Sequence, residues 1–294
     1  SYYIEDGCEE LLKIVMDTYS KLSDNPEKLE FIIGINCDGI KEDQLKDYQN
    51  YKTQMVDIRL KEGEINKFQK QIHFKPHTVK SRCHGDALNQ LFKYVNSRFF
   101  MTVDSDCFCV KKGWDTIMKK LLVGNIIAVG SGHHPTLYRF RNFPAIYSSM
   151  YLTKEWKEKI SGTDFAFDDD PKFMREININ QKELYKILQV PPGHKLTSDT
   201  GSKLPYLART NGFDGIEFPS LRLKAKSKGR KFLTDDLIGK NDSIKRTEEF
   251  QYNGEVYFVH LADGRYRRMN NDEFCKKFIK RLRSYVKKKY DIEI

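Results

Sequence analysis

The sequence predicts an α/β protein: an open, mostly parallel sheet flanked by helices, followed by a basic C-terminal helix. Three observations carry this reading. Apolar runs of strand length alternate with segments of helical periodicity. Two of those runs, 29–36 and 99–103, are apolar nearly throughout, as central parallel strands buried on both faces are. No internal repeat or low-complexity tract breaks the alternation.

In chain order, Leu11, Leu12, Val15, Met16 and Tyr19 recur at helical spacing and predict a helix over 9–22. Asp24-Asn25-Pro26 is a turn. A strand over 29–36 follows and ends in Cys37-Asp38-Gly39. A polar helix is expected over 43–52, a strand over 54–60 and a loop over 61–80. A helix over 85–95 carries Ala87, Leu88, Leu91 and Phe92, and leads into the strand Phe99-Phe100-Met101-Thr102-Val103. Downstream, a helix is expected over 113–122, a strand over 125–130 and a loop over 131–135. A strand over 145–152 precedes a helix near 154–160. Residues 164–170, with three consecutive aspartates, read as a loop. Helices are expected over 177–188 and 199–211, the second delayed or kinked by Pro205. Residues 220–229 are basic and irregular. Asn253-Gly254 between two apolar stretches is a hairpin signal. A basic amphipathic helix over 272–290 places Phe274, Phe278, Leu282 and Tyr285 on one face.

The chain has 294 residues, enough for a sizeable core, and its composition is that of a folded protein. No run approaches the length of a membrane span. The start of the chain does not read as a signal peptide. The six cysteines show no CxxC pair and read as reduced thiols, which fits a cytoplasmic location. Net charge is +10. Such an excess suits nucleic acid, an anionic membrane surface or phosphate-bearing small molecules. Much of it sits in the last 20 residues.

The chemistry concentrates at Asp104-Ser105-Asp106. A buried strand that runs into two carboxylates needs a counter-charge, because carboxylates are rarely buried unless paired or bound to metal. Mg²⁺ or Mn²⁺ supplies it, through oxygen ligands shared with phosphates. Read alone, the triplet is equally a solvated turn. In open α/β sheets, ligands bind beyond the carboxyl ends of the strands. Asn36 and Asp38 end one such strand, and Asp104 and Asp106 end another.

The ordered motifs resemble the GT-A glycosyltransferases, specifically the inverting family-2-like enzymes. The resemblance rests on His84-Gly85-Asp86-Ala87-Leu88-Asn89-Gln90-Leu91 before the strand that ends in Asp-x-Asp. It also rests on Asp199-Thr200-Gly201 with Leu204, Leu207 and Gly212, and on His260 at the end of a late strand. It covers roughly residues 8 to 265. It implies a GT-A (Rossmann-like) sheet in two halves, 1–106 for the nucleotide sugar and 107–265 for the acceptor, with 266–294 as the basic helix. It further implies transfer of a sugar from a UDP- or GDP-sugar to an acceptor hydroxyl, with inversion. Asp104, Asp106 and His260 would hold Mn²⁺ or Mg²⁺. Asn36, Asp38, Arg82, Asp104, Ser105 and Asp106 would contact the donor. Asp199 would open a helix and act as base; as a bare residue it reads first as a helix N-cap, since Ser198-Asp199-Thr200 is capping chemistry. The acceptor is a glycan, a lipid-linked sugar or a protein, and the basic face of 276–289 could meet an anionic membrane. A sugar-phosphate nucleotidyltransferase is the enzymatic alternative, although no Gly-rich phosphate loop is visible. A basic nucleic-acid-binding module is the non-enzymatic one. Acid rather than base at the strand ends argues against it.

Overall fold

The computed structural model describes residues 9–36, 48, 51–61, 84–133, 140–160, 180–190, 200–222, 247–261 and 272–293. Helix α1 (Glu9–Leu22) precedes strands β1 (Phe31–Ile35) and β2 (Thr53–Asp57). Helix α2 (His84–Phe92) leads to β3 (Phe99–Val103) and the three-residue β4 (Cys107–Cys109). Next come α3 (Trp114–Leu121), β5 (Ile126–Ser131) and β6 (Ser148–Leu152). A helical turn over Thr153–Glu155 widens into a π-helical turn, Trp156–Ile160, with Trp156 buried against Tyr151. Helices α4 (Gln181–Leu188) and α5 (Leu204–Thr210) are followed by β7 (Asp214–Phe218), β8 (Ser220–Arg222), β9 (Thr247–Tyr252) and β10 (Glu255–Leu261). Helix α6 (Asp272–Tyr290) completes the set. The protein is therefore mixed α/β, as expected.

The expectation of one mostly parallel sheet is corrected. The described strands form three sheets, ordered β1-β2, β3-β6-β5-β7 and β4-β10-β9-β8. Only β1–β2 and β5–β7 are parallel. The pairs β3–β6, β5–β6, β4–β10, β9–β10 and β8–β9 are antiparallel. Apolar runs report burial on both faces, not strand direction. Strand β6 lies between β3 and β5, is buried almost throughout, and is still antiparallel to both. The β9–β10 pair has no choice, since a two-residue turn at Asn253-Gly254 can join only antiparallel strands. Both turn residues have positive φ, 51° and 80°, as a type I′ hairpin requires.

The β3-β6-β5-β7 sheet divides the interior into two apolar layers. Along β3, Phe99, Met101 and Val103 face one layer with α1, α3, α6 and the β4-β10-β9-β8 sheet, while Phe100 faces the other with α2, α4 and α5. This is the period-two alternation of a strand covered on both sides. Residues of β1 and β3 line a cavity of about 700 Å³, together with Tyr19 and Trp114. At the start of α3, the buried Asp115 accepts from Asp24 N–H (2.9 Å) and Asn25 Nδ2 (3.2 Å), and pairs with Lys119. That ties the end of α1 to α3.

Two further expectations change. Helix α5 begins at Leu204 rather than at 199: residues 200–203 are turn, and Pro205, which has no N–H to donate, sits in the first turn. Strand β8 occupies the first three residues of the stretch expected to be irregular. The expected helix 43–52 (apart from residues 48, 51 and 52), the loop 62–80 and the loop 164–170 lie outside the described residues. In α6, Ile279, Leu282 and Val286 are buried against the domain while Lys280, Arg283, Lys287 and Lys288 are exposed. Among the described residues no helix is long and apolar enough to cross a membrane.

Candidate metal centre

The site is assembled by backbone hydrogen bonds around the end of β3. The strand is held by β6, in register from Phe99–Leu152 to Val103–Ser148. Just past it, Asp104 N–H donates to Tyr147 O at 2.8 Å. Cys107 N–H donates back to Asp104 O at 2.9 Å, closing a tight turn over Asp104-Ser105-Asp106. The chain then enters β4, which pairs antiparallel with β10 so that Cys107 stands opposite His260. Leu261 N–H donates to Asp106 O at 3.0 Å. The turn that carries both aspartates is thus fastened to the strand that carries the histidine.

The side chains converge accordingly. His260 Nε2 lies 3.3 Å from Asp106 Oδ1 and 3.6 Å from Asp104 Oδ2. One ligand atom from each of Asp104, Asp106 and His260 falls within 4.8 Å of the others. Asp106 is 2% exposed and His260 6%. On its other side, His260 Nδ1 lies 3.5 Å from Oε2 of the buried Glu248. The Tyr147 ring stacks on the imidazole, centroids 4.6 Å apart at 20°. His84, the first residue of α2, brings Nε2 within 3.5 Å of Asp104 Oδ1. Asp104 therefore has an imidazole near each oxygen.

Electrostatics decide what this cluster can hold. Burial pulls the His260 pKa down. The Asp106 charge and hydrogen bond, with Glu248 and Asp104, outweigh it and raise the pKa to about 10. The isolated imidazole is thus a cation among carboxylates. Three carboxyl groups, those of Asp104, Asp106 and Glu248, surround one buried imidazole, an oxygen-rich setting of the kind a divalent cation takes. The donor set also fits: two carboxylates and one imidazole suit Mn²⁺, and Mg²⁺ less well on account of the nitrogen. The 3.3 and 3.6 Å separations between donors are near the roughly 3 Å between neighbouring ligands of an octahedral ion with bonds of about 2.1 Å.

Of the residues singled out from sequence, the structure gathers Asp104, Asp106 and His260, with Ser105 buried between the aspartates. Asn36 is fully buried just past β1, on the separate two-stranded sheet. Asp38, Arg82 and Asp199 lie outside the described residues. Sequence reasoning missed Glu248 and Tyr147. Glu248 faces His260 across the β9–β10 pair only because of a register shift between Val256 and Phe258, so counting back through the Asn253-Gly254 hairpin would not have found it. Tyr147 left no signal either, since its role depends on β6 lying beside β3. His133, whose Nδ1 is 3.3 Å from Tyr147 Oη, belongs to the same aromatic group.

The fold and site define a mixed α/β protein with a buried carboxylate–imidazole cluster suited to a divalent cation. Comparison with family models, curated proteins and solved structures returned no match.

Proposed function

We propose that this chain is a metal-dependent glycosyltransferase of the GT-A type, moving a sugar from a nucleoside diphosphate sugar to an acceptor hydroxyl with inversion. The observation that carries the reading is the meeting of Asp104, Asp106 and His260 at the end of β3. An Asp-x-Asp triplet alone is a weak signal. A distant histidine brought to the same point, in a buried setting, is a much stronger one.

In this reading, Asp104, Asp106 and His260 hold Mn²⁺ or Mg²⁺, and Ser105, Asp38 and Arg82 contact the donor, while Asn36, fully buried, supports the end of β1 instead. The bound ion offsets the charge that develops on the departing diphosphate. His84, at the start of α2 and beside Asp104, adds a positive group at the same edge when protonated. Asp199 takes the proton of the acceptor hydroxyl as its oxygen bonds to the anomeric carbon and the bond to the diphosphate breaks. Direct displacement with a single base gives inversion, by the logic that separates the two glycosidase geometries. The exposed basic face of α6 fits an acceptor on an anionic membrane.

The test is a screen of UDP-, GDP-, dTDP- and CMP-sugars for Mn²⁺-dependent hydrolysis and for thermal stabilisation of the protein. At least one donor is expected to stabilise the protein more with Mn²⁺ than without. Absence of binding by every donor, with and without metal, overturns the proposal.

A further inference from the structure

We infer that Glu248 is a positioning residue of the metal centre: it accepts the Nδ1–H of His260 and so turns the unprotonated Nε2 toward the ion held with Asp104 and Asp106. This rests on the metal centre proposed above. The argument begins with register. Glu248 and His260 are opposed residues of the antiparallel β9–β10 pair, so their side chains share one face and lie within contact distance. His260 Nδ1 is 3.5 Å from Glu248 Oε2, an ion-pair separation with no hydrogen bond yet made by Nδ1 among the described residues, whereas Nε2 lies 3.3 and 3.6 Å from the two aspartates. The ring plane is fixed by the stacked Tyr147.

Glu248 does not belong to the cluster of ligand atoms itself. It stands behind the ring, on the far nitrogen, where it can orient His260 but not ligate with it. Its neighbour Glu249 faces the other way, to Lys289 and Tyr290 of α6. Glu248 is 2% exposed, and a buried carboxylate needs partners for its charge; the His260 imidazole is one of them. Metal-bound histidines almost always donate their second ring N–H to such a partner, and losing it weakens metal binding by about 10–100-fold.

The test measures metal binding by the full chain, without reference to turnover. Mn²⁺ affinity is determined by titration calorimetry for the wild type, Glu248→Gln and Glu248→Leu. The visible spectrum of bound Co²⁺ and the metal-free thermal midpoint are recorded in parallel. Glu248→Leu is expected to bind Mn²⁺ about 10–100-fold more weakly and to shift the Co²⁺ bands. In Glu248→Gln the side-chain carbonyl still accepts from Nδ1–H, so an intermediate loss is expected. Unchanged affinity and an unchanged Co²⁺ spectrum in Glu248→Leu overturn the inference while leaving the metal centre intact. If Glu248→Leu does not fold, Glu248→Ala, which also removes the acceptor, takes its place: wild-type Mn²⁺ affinity there overturns the assignment. A wild-type chain that binds neither ion overturns both the centre and this role.

Discussion

Cys107 and His260 are register partners in the antiparallel pair β4–β10. That one pairing brings the Asp104-Ser105-Asp106 turn, at the mouth of β4, to a histidine far along the chain. It makes the candidate site a property of two sheets meeting: β3 delivers the aspartates from one, and β10 delivers the imidazole from the other. At such a site, removing a proposed ligand costs more than removing a residue that only orients one.

Asp106→Ala is therefore expected to weaken Mn²⁺ binding by more than about 100-fold, the upper end of what loss of a supporting residue costs. Metal-dependent turnover should vanish with it. Calorimetric titration checks the first and donor hydrolysis the second. Near-normal Mn²⁺ affinity in this variant would show that the cluster is only a buried ion pair.

Asp199→Asn separates binding from chemistry. If Asp199 is the general base proposed above, its loss costs about 10²–10⁴ in rate without weakening donor binding. Transfer should fall by that factor with the nucleotide-sugar Kd unchanged. Near-normal transfer would remove Asp199 from the mechanism.

Acid stability should report on Asp115. Burial pushes its carboxyl pKa up, but the Asp24 N–H, Lys119 and Asn25 together hold it below the usual value of 3.8. A depressed folded-state pKa adds stability that is present above the unfolded pKa and lost as pH falls through the folded one. Asp115→Ala should thus cost about 1–3 kcal/mol at pH 7. Urea midpoints of the two proteins should converge below about pH 3.8. A gap that does not narrow in acid would assign the loss to packing.

Helix α6 offers a test of its two faces. Leu282 is fully buried, and Leu282→Ala should cost about 2–5 kcal/mol by leaving a cavity. The double change Lys280→Glu, Lys288→Glu alters two exposed positions and should move stability by no more than about 0.5 kcal/mol. It should nonetheless reduce sedimentation with vesicles of anionic lipid, because each basic group near such a surface contributes about 1 kcal/mol. Equal sedimentation of the double variant and wild type would detach the basic face from any membrane role.

Several elements were legible because local physics sets them. The helical spacing of Leu11, Leu12, Val15 and Met16 gives α1 with the expected bounds, and the apolar run before Asp104 gives β3. Asn253-Gly254 gives its hairpin through positive φ alone. The long amphipathic pattern gives α6. Strand β7 was not legible: Asp214-Gly215-Ile216-Glu217-Phe218 mixes polar residues into a strand, and its half-buried Glu217 lies beside Arg141 and the backbone of Asn142 and Phe143. Strand β4, three residues long, exists because β10 is there to receive it.

The sequence by itself determined that an apolar strand ends in Asp104-Ser105-Asp106 and that His260 follows a hairpin turn. That this strand lies at a sheet edge and is only partly buried was decided by the fold. Tertiary structure alone decided which way the strands run and what stands behind His260. A plain two-residue hairpin places Thr247 opposite His260. The β-bulge between Val256 and Phe258 shifts the register by one residue, and Glu248 takes that position instead. In a strand, one residue is the difference between one face and the other. A bulge is a compromise among packed neighbours, so no local pattern in residues 247–261 could have announced it.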